Sequence, residues 1–148
     1  LDFITSHPKD ATIELFEAMR DLDRLSKHLH LPLQSGSNRI LKLMNRCYTV
    51  EQYQGLIRAF RRIVPGGTVT TDVIVGFPTE TAGDFEMTKK VMEDICFDGA
   101  YVFKYSPRPP AVSAEMEDDV PVDEKKRRNN VLLKMHAPKI GRDRKRQV

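Results

Sequence analysis

Four short polar stretches hold the residues of this chain that could do chemistry. They are Ser6-His7-Pro8-Lys9, Gln34-Ser35-Gly36-Ser37, Gly76-Phe77-Pro78-Thr79-Glu80-Thr81 and Lys104-Tyr105-Ser106-Pro107-Arg108. Each follows a run rich in apolar or β-branched residues. Gln34 and Ser35 suit ribose hydroxyls or amides, and Gly36 permits close backbone approach. The same turn serves equally well as a helix start, with Ser37 or Asn38 as N-cap. Glu80 suits a ligand hydroxyl or amine, or the cap of the following helix. Asp72 interrupts an apolar strand on the face opposite Val73 and Val75. A buried carboxylate is costly unless paired, so Asp72 is either a site residue or half of a salt bridge. Gly76, at the end of that strand, indicates that something packs against the backbone there. Lys104 and Arg108 bracket a strand end and suit carboxylate or phosphate.

Other chemistries are poorly supported. His28 and His30 alternate along one strand but lack a third ligand at metal spacing, and Cys47 and Cys96 form no CxxC. No nucleophile elbow is present. Two distant cysteines do not make a disulfide framework, and a reducing cytoplasm is the expected setting. No apolar run is long enough for a transmembrane helix, and no signal peptide is seen. The chain does not begin with Met, so a piece of a longer protein is expected.

The stretches must be positioned by regular elements. Residues 1–6 read as a strand. A helix follows, capped by Asp10 or Thr12, with Ile13, Phe16, Met19 and Leu22 on one face. A second strand spans 28–33, and a short helix 38–45. Thr49 and Gln52 form a capping box for a helix that presents Tyr53, Leu56, Ile57, Phe60 and Ile63; Pro65-Gly66-Gly67 ends it. Residues 68–77 are the clearest strand, and the run Val73 to Val75 predicts cover on both faces. The next helix turns Phe85, Thr88, Val91, Met92 and Ile95 inward, and 99–105 is the fourth strand. Residues 106–123 are irregular, proline-rich and acidic. A charged helix over roughly 122–135 closes the fold. Its basic run Lys125-Lys126-Arg127-Arg128 reads as a solvated face or as a contact for nucleic-acid phosphates.

Strand–helix repetition predicts parallel strands with helical crossovers, an α/β sheet or part of a barrel. Four strands cannot close a barrel. In such architectures the ligand lies at the carboxyl ends of the strands, so the four polar stretches would share one rim.

The strings TSHPKD, KHLHLPLQSGSNRILKLMNR, TDVIVGFPTET, FKYSPRP and DDVP, in this order, resemble the methylthiotransferase family of radical S-adenosylmethionine enzymes. The closest resemblance is to the branch that methylthiolates isopentenyladenosine in tRNA, the MiaB type. It covers about residues 3–134. It implies the later strands, about the third to the sixth, of a partial (β/α)6 TIM-like barrel. Residues 1–135 would be the C-terminal part of the radical SAM core, and 136–148 a basic tail or linker towards an RNA-binding TRAM domain. It implies S-adenosylmethionine at the rim and two [4Fe–4S] clusters whose cysteines lie outside this chain. One cluster would cleave S-adenosylmethionine to a 5′-deoxyadenosyl radical; the other would help deliver sulfur to C2 of the adenine next to the anticodon.

Carried over by position, Gln34, Ser35 and Ser37 would line the ribose or methionine part of the cofactor. Val73, Ile74 and Gly76 would pack beside adenine; Asp72 and Glu80 complete the expected cofactor set. Lys104, Tyr105 and Arg108 would meet substrate. No catalytic residue is assigned, and no metal ligand is expected in this chain. Expected partners are tRNA and an electron donor such as a flavodoxin or ferredoxin, around a cytoplasmic monomer with no membrane contact. Bulky apolar replacements of Ser35 and Ser37 are expected to weaken cofactor binding without unfolding the barrel. Family members often read RPGTPA where this chain reads Arg108-Pro109-Pro110-Ala111-Val112-Ser113-Ala114, without the Gly. Cys47 stands where Gly or Lys is common. Alternative substrates are threonylcarbamoyl-adenosine tRNA or a ribosomal-protein aspartate. A non-catalytic nucleic-acid-binding module is the alternative of another class.

Overall fold

Parallel pairing needs a crossover between every two strands, and the sequence supplies one each time. The computed structural model describes residues 3–4, 8–107 and 116–135. Strands β1 (Phe3–Ile4), β2 (His28–His30), β3 (Thr68–Val75) and β4 (Gly99–Lys104) form one sheet in that order. Each neighbouring pair is parallel. Helix α1 (Ile13–Asp21) links β1 to β2. Helices α2 (Asn38–Leu43) and α3 (Val50–Ile63) link β2 to β3, and α4 (Ala82–Ile95) links β3 to β4. Helix α5 (Val122–Met135) follows β4.

Short hydroxyl residues start the crossover helices. Thr12, not Asp10, caps α1, and Ser37, not Asn38, caps α2. Asn38 instead accepts from the Val50 N–H and donates to Glu51, pinning α2 to α3. Thr49 with Gln52, and Thr81 with Asp84, form reciprocal capping boxes for α3 and α4. Each cap satisfies backbone donors that a helix start otherwise leaves open, worth about 1 kcal/mol.

The core lies between one face of the sheet and the helices. Leu29, Val69, Val73 and Val75 are buried there with Phe16, Met19, Tyr53, Phe60, Phe85 and Met92. Phe16 and Phe60 meet edge to face at 5.3 Å. Side chains of this size each gain about 1.5–3 kcal/mol on burial. In α1 only Phe16 and Met19 turn fully inward; Ile13 and Leu22 are 41% and 54% exposed. A spacing of three drifts round the helix, and at 3.6 residues per turn these two stand about 180° apart.

Two strand expectations change. β2 stops at His30, because Pro32 has no N–H to donate. The Leu33 N–H turns to the buried Thr71 hydroxyl, 2.9 Å, and pairing resumes only at the Gln34–Val73 bridge. β3 is covered on one face among the described residues, not two: Val69, Thr71, Val73 and Val75 are buried, while Thr70, Asp72 and Ile74 are half-buried. On that second face Asp72 pairs in register with Tyr101 and Ile74 with Phe103, and both aromatics are exposed. In a barrel this face looks inward, and closing over it takes more strands than these four.

Candidate functional site

Three of the four strand ends meet at the carboxyl edge of the sheet, where they line a cleft of about 1110 Å³. Gln34 enters it after β2, Asp72 and Ile74 from β3, Phe77 after β3, and Lys104, Tyr105 and Ser106 from the end of β4. Of the remaining stretch, after β1, Ser6 and His7 lie outside the described residues, as does Arg108.

Gln34 is the most constrained of these. Its backbone is tied on both sides, the N–H to Asp72 O at 2.9 Å and the C=O accepting from the Ile74 N–H at 3.0 Å. It is held at φ 70°, left-handed backbone that non-glycine residues adopt at a cost of about 1–3 kcal/mol. The residue is 9% exposed, and its Oε1 is buried with no hydrogen-bond partner among the described residues. Leaving a buried carbonyl unpaired costs about 1–3 kcal/mol. Gln34 thus combines left-handed backbone and an unpaired buried acceptor at a position that borders the cleft.

Asp72 borders the cleft and also has a partner: Oδ2 lies 3.0 Å from His30 Nε2. Below it the polar ladder continues: His30 Nδ1 meets Thr70 Oγ1 at 2.7 Å, and His28 Nδ1 meets Thr68 Oγ1 at 2.6 Å. The strand histidines are engaged in this ladder. Among the described residues no group of three His, Cys, Asp or Glu side chains could hold a metal ion.

Ser35, Ser37, Gly76 and Glu80 do not line the cleft. They hold its walls from behind. Ser35 and Ser37 are fully buried, so bulky replacements would break the packing, contrary to the expectation from sequence. Ser37 donates to Asp84 Oδ1 at 2.8 Å, and the Gly36 N–H to Thr88 Oγ1 at 2.8 Å. Burial alone would raise the Asp84 carboxyl, but bonds from Arg39, Thr81 and Ser37 bring it down to about 2. The QSGS turn is thereby clamped to the first turns of α4.

Glu80 caps nothing, because Thr81 does. Its Oε1 accepts from the Gly76 N–H at 2.9 Å and from Arg128 Nη1 at 2.7 Å, with side-chain exposures of 1% for Glu80 and 6% for Arg128. Burial pushes the Glu80 carboxyl up, against the pull of these two donors. What packs against Gly76 is Lys125. A Cβ on Gly76 would lie 2.4 Å from Lys125 Cγ, and Gly76 sits at φ 77°. Lys125 is itself buried, donating to Tyr105 O at 3.2 Å and Asp118 Oδ2 at 2.7 Å. Half of the basic run is therefore internal, neither solvated face nor phosphate contact. Gly76→Ala is expected to cost about 1–3 kcal/mol from left-handed strain alone, read as a lower denaturation midpoint. An unchanged midpoint would show that the loop relaxes freely.

The cleft also contains residues that strand-end reasoning passed over. Lys42, Asn45 and Arg46 reach it from the end of α2, and Phe103 from the inner face of β4. The signal for the first three was faint: a six-residue helix ending in an Asn at φ 60°, which places the helix end on the same rim as the strand ends.

A family described as the Radical SAM superfamily matches residues 2–92 of this sequence. The chain belongs to the radical SAM superfamily. Among relatives of this radical SAM chain, the tRNA-2-methylthio-N(6)-dimethylallyladenosine synthase of Endomicrobium trichonymphae is 54% identical over 89% of the chain and 32% of that relative. The synthase of the same name from Acetivibrio thermocellus is 51% identical over 88% of the chain and 27% of that relative. The radical SAM chain thus spans about a third of the length of the curated relatives it matches. Among solved structures, coproporphyrinogen III oxidase of Escherichia coli, described as a radical SAM enzyme, superposes with a TM-score of 0.72. The two are 20% identical over 91% of this chain and 32% of that one, which bears on the fold: a partial barrel of the radical SAM kind.

Proposed function

We propose that this chain is the cofactor-binding part of the core of an enzyme that methylthiolates C2 of N6-isopentenyladenosine next to the anticodon of tRNA. The observation that carries the reading is the buried, unpaired Gln34 carbonyl held in a left-handed conformation at the carboxyl edge of a radical SAM sheet. The names of relatives about half identical to the chain support the substrate.

The described residues fit S-adenosylmethionine. Gln34 Oε1 accepts an N–H of the cofactor. The Asp72 carboxylate, oriented by His30, takes a second donor. Ile74 and Phe77 shield an adenine from water. Ser35, Ser37, Gly76 and Glu80 keep the bordering loops in place. Lys104 and Tyr105 stand on the substrate side; Arg108, also expected to meet substrate, lies outside the described residues. The same residues do not fit an iron–sulfur cluster, since Cys47 and Cys96 stand singly and exposed, in no cluster of ligating side chains among the described residues. The two [4Fe–4S] clusters of the proposal take their ligands from outside this chain. S-adenosylmethionine bound at such a cluster supplies one-electron chemistry at an adenine C2–H bond that is otherwise inert. An electron donor such as a flavodoxin or ferredoxin, a monomeric state and a cytoplasmic location complete the proposal. No helix of the described residues is long and apolar enough to cross a membrane.

The full-length gene product, reconstituted anaerobically, is expected to form 5′-deoxyadenosine from S-adenosylmethionine and to methylthiolate isopentenylated tRNA. Full cluster loading with neither product would overturn the reading. Gln34→Leu is expected to weaken S-adenosylmethionine about tenfold in equilibrium dialysis, the worth of one hydrogen bond. Unchanged affinity would remove Gln34 from the site.

A further inference from the structure

We infer that Lys42 and Arg46, at the end of α2, hold backbone phosphates of the RNA strand whose base enters the cleft. The inference rests on the proposed function and adds the element that grips the substrate.

Several cations of the fold are already paired. Arg39 bonds Asp84 and Thr79, Lys125 bonds Asp118, and Arg127 and Arg128 bond Glu124. Lys42, Arg46 and Lys104 differ. All three line the cleft, and none has a side-chain hydrogen bond or ion pair among the described residues. Solvated lysines alone would mean little. Arg46 is the telling one: it is half-buried, and its Nε is buried without a partner among the described residues. A charged donor withdrawn from water and left unsatisfied is costly, and an anionic oxygen arriving from the cleft removes that cost. The one carboxylate lining the cleft, Asp72, is engaged by His30.

An anionic oxygen could come from the carboxylate of the cofactor or from a phosphodiester. Breadth favours the phosphodiester. The cations come from two separate elements, α2 and β4, which suits successive phosphates along a strand better than a single carboxylate. The apolar lining agrees. Phe103 is 54% exposed and borders the cleft beside Phe77 and Tyr105, and an unstacked base takes such rings as its stacking partners. Arg46 and Lys42 also lie at a helix end, where cations are favoured whether or not RNA is bound. Two positions are thus held ready without a bound partner.

The test uses the full-length gene product and a fluorescein-labelled anticodon stem–loop RNA, with affinity measured across a salt series. The slope of log affinity against log salt should become shallower by about 1.4 in Lys42→Gln/Arg46→Gln, about 0.7 for each single-strand phosphate no longer neutralised. The charge-matched Arg58→Gln/Arg62→Gln on α3 should keep the parent slope, and Arg46→Lys should restore most of the Arg46 share. Equal slopes in the two double variants would overturn the inference. So would a loss of S-adenosylmethionine affinity in Lys42→Gln/Arg46→Gln that matches the loss for RNA, which would assign the cations to the cofactor carboxylate. If the parent protein itself binds the RNA with no salt dependence, the functional reading fails instead.

Discussion

Replacing Arg128 with methionine is expected to destabilise the fold by about 3–5 kcal/mol, the cost of removing one partner from a buried ion pair. Arg128 reaches both Glu80 and Glu124, and its guanidinium lies 5.8 Å from the centre of the Phe85 ring. Methionine fills much of the same space. What remains is the Glu80 carboxylate, almost wholly buried, with the Gly76 N–H as its remaining donor among the described residues. The pH dependence has a definite sign. Burial already raises the Glu80 carboxyl above its ordinary value, and loss of Arg128 raises it further. A raised carboxyl favours the fold below the unfolded pKa, and that contribution is lost as pH rises through the folded one. The deficit of Arg128→Met should therefore shrink in mildly acidic buffer and be largest at neutral pH. Denaturant titrations of the full-length gene product at the two conditions measure it. A deficit under about 1 kcal/mol, as for an exposed pair, or one that grows on acidification, would refute the assignment. In Glu80→Gln/Arg128→Met no buried charge is stranded, and much of the stability should return.

Gly36→Ala is expected to be the most damaging change of a single methyl group in the chain. A Cβ at Gly36 would stand 2.4 Å from Thr88 Cα and 2.8 Å from both Met87 O and Thr88 N. All three are backbone atoms of α4, so no rotamer change relieves the overlap, which is more than 1 Å inside normal contact. Either α4 or the QSGS turn must move. Overpacking of this kind costs about 1–3 kcal/mol, occasionally more. Because Gln34 is two residues away, the same shift should reduce S-adenosylmethionine binding. Melting temperature and equilibrium dialysis are the readouts. The double variant Gly36→Ala/Thr88→Ala discriminates: it should not recover, since trimming the Thr88 side chain leaves the clashing backbone where it was. Recovery would mean that the Thr88 hydroxyl, not the helix backbone, sets the spacing.

Much of the fold was legible in the residues alone. The β-branched run at 68–75, the capping box at Thr49 and Gln52, and the inward set Phe85, Thr88, Val91, Met92 and Ile95 are local signals. Their outcome depends on period and on backbone donors within one turn, so it needed no distant partner. The parallel order followed from the helices between the strands. Local signals failed where a distant group intervened. β2 ended early, ahead of Pro32, and beyond that break the Thr71 hydroxyl, far along the chain, took the Leu33 N–H out of the ladder. α1 turned only two of its four expected residues inward because a spacing of three drifts round a helix of 3.6 residues per turn.

The site divides in the same way. Residue type and position in or after a strand were enough to nominate Gln34, Asp72 and Lys104, while Ile74 and Tyr105 came from the family resemblance; the fold brings all five to one cleft. Those cues are properties of the strand end itself, and parallel topology carries all such ends to one edge. Residue type alone could not decide which polar groups face the cleft and which stand behind it. Ser35, Ser37 and Glu80 look as suited to a ligand as Gln34, yet Asp84, Thr88 and Arg128 claim them. Those partners lie 47, 53 and 48 residues away. A hydrogen bond to such a partner exists only once α4 and α5 have docked. Tertiary packing therefore left Gln34 with an open acceptor and brought the end of α2, with Lys42 and Arg46, to the rim.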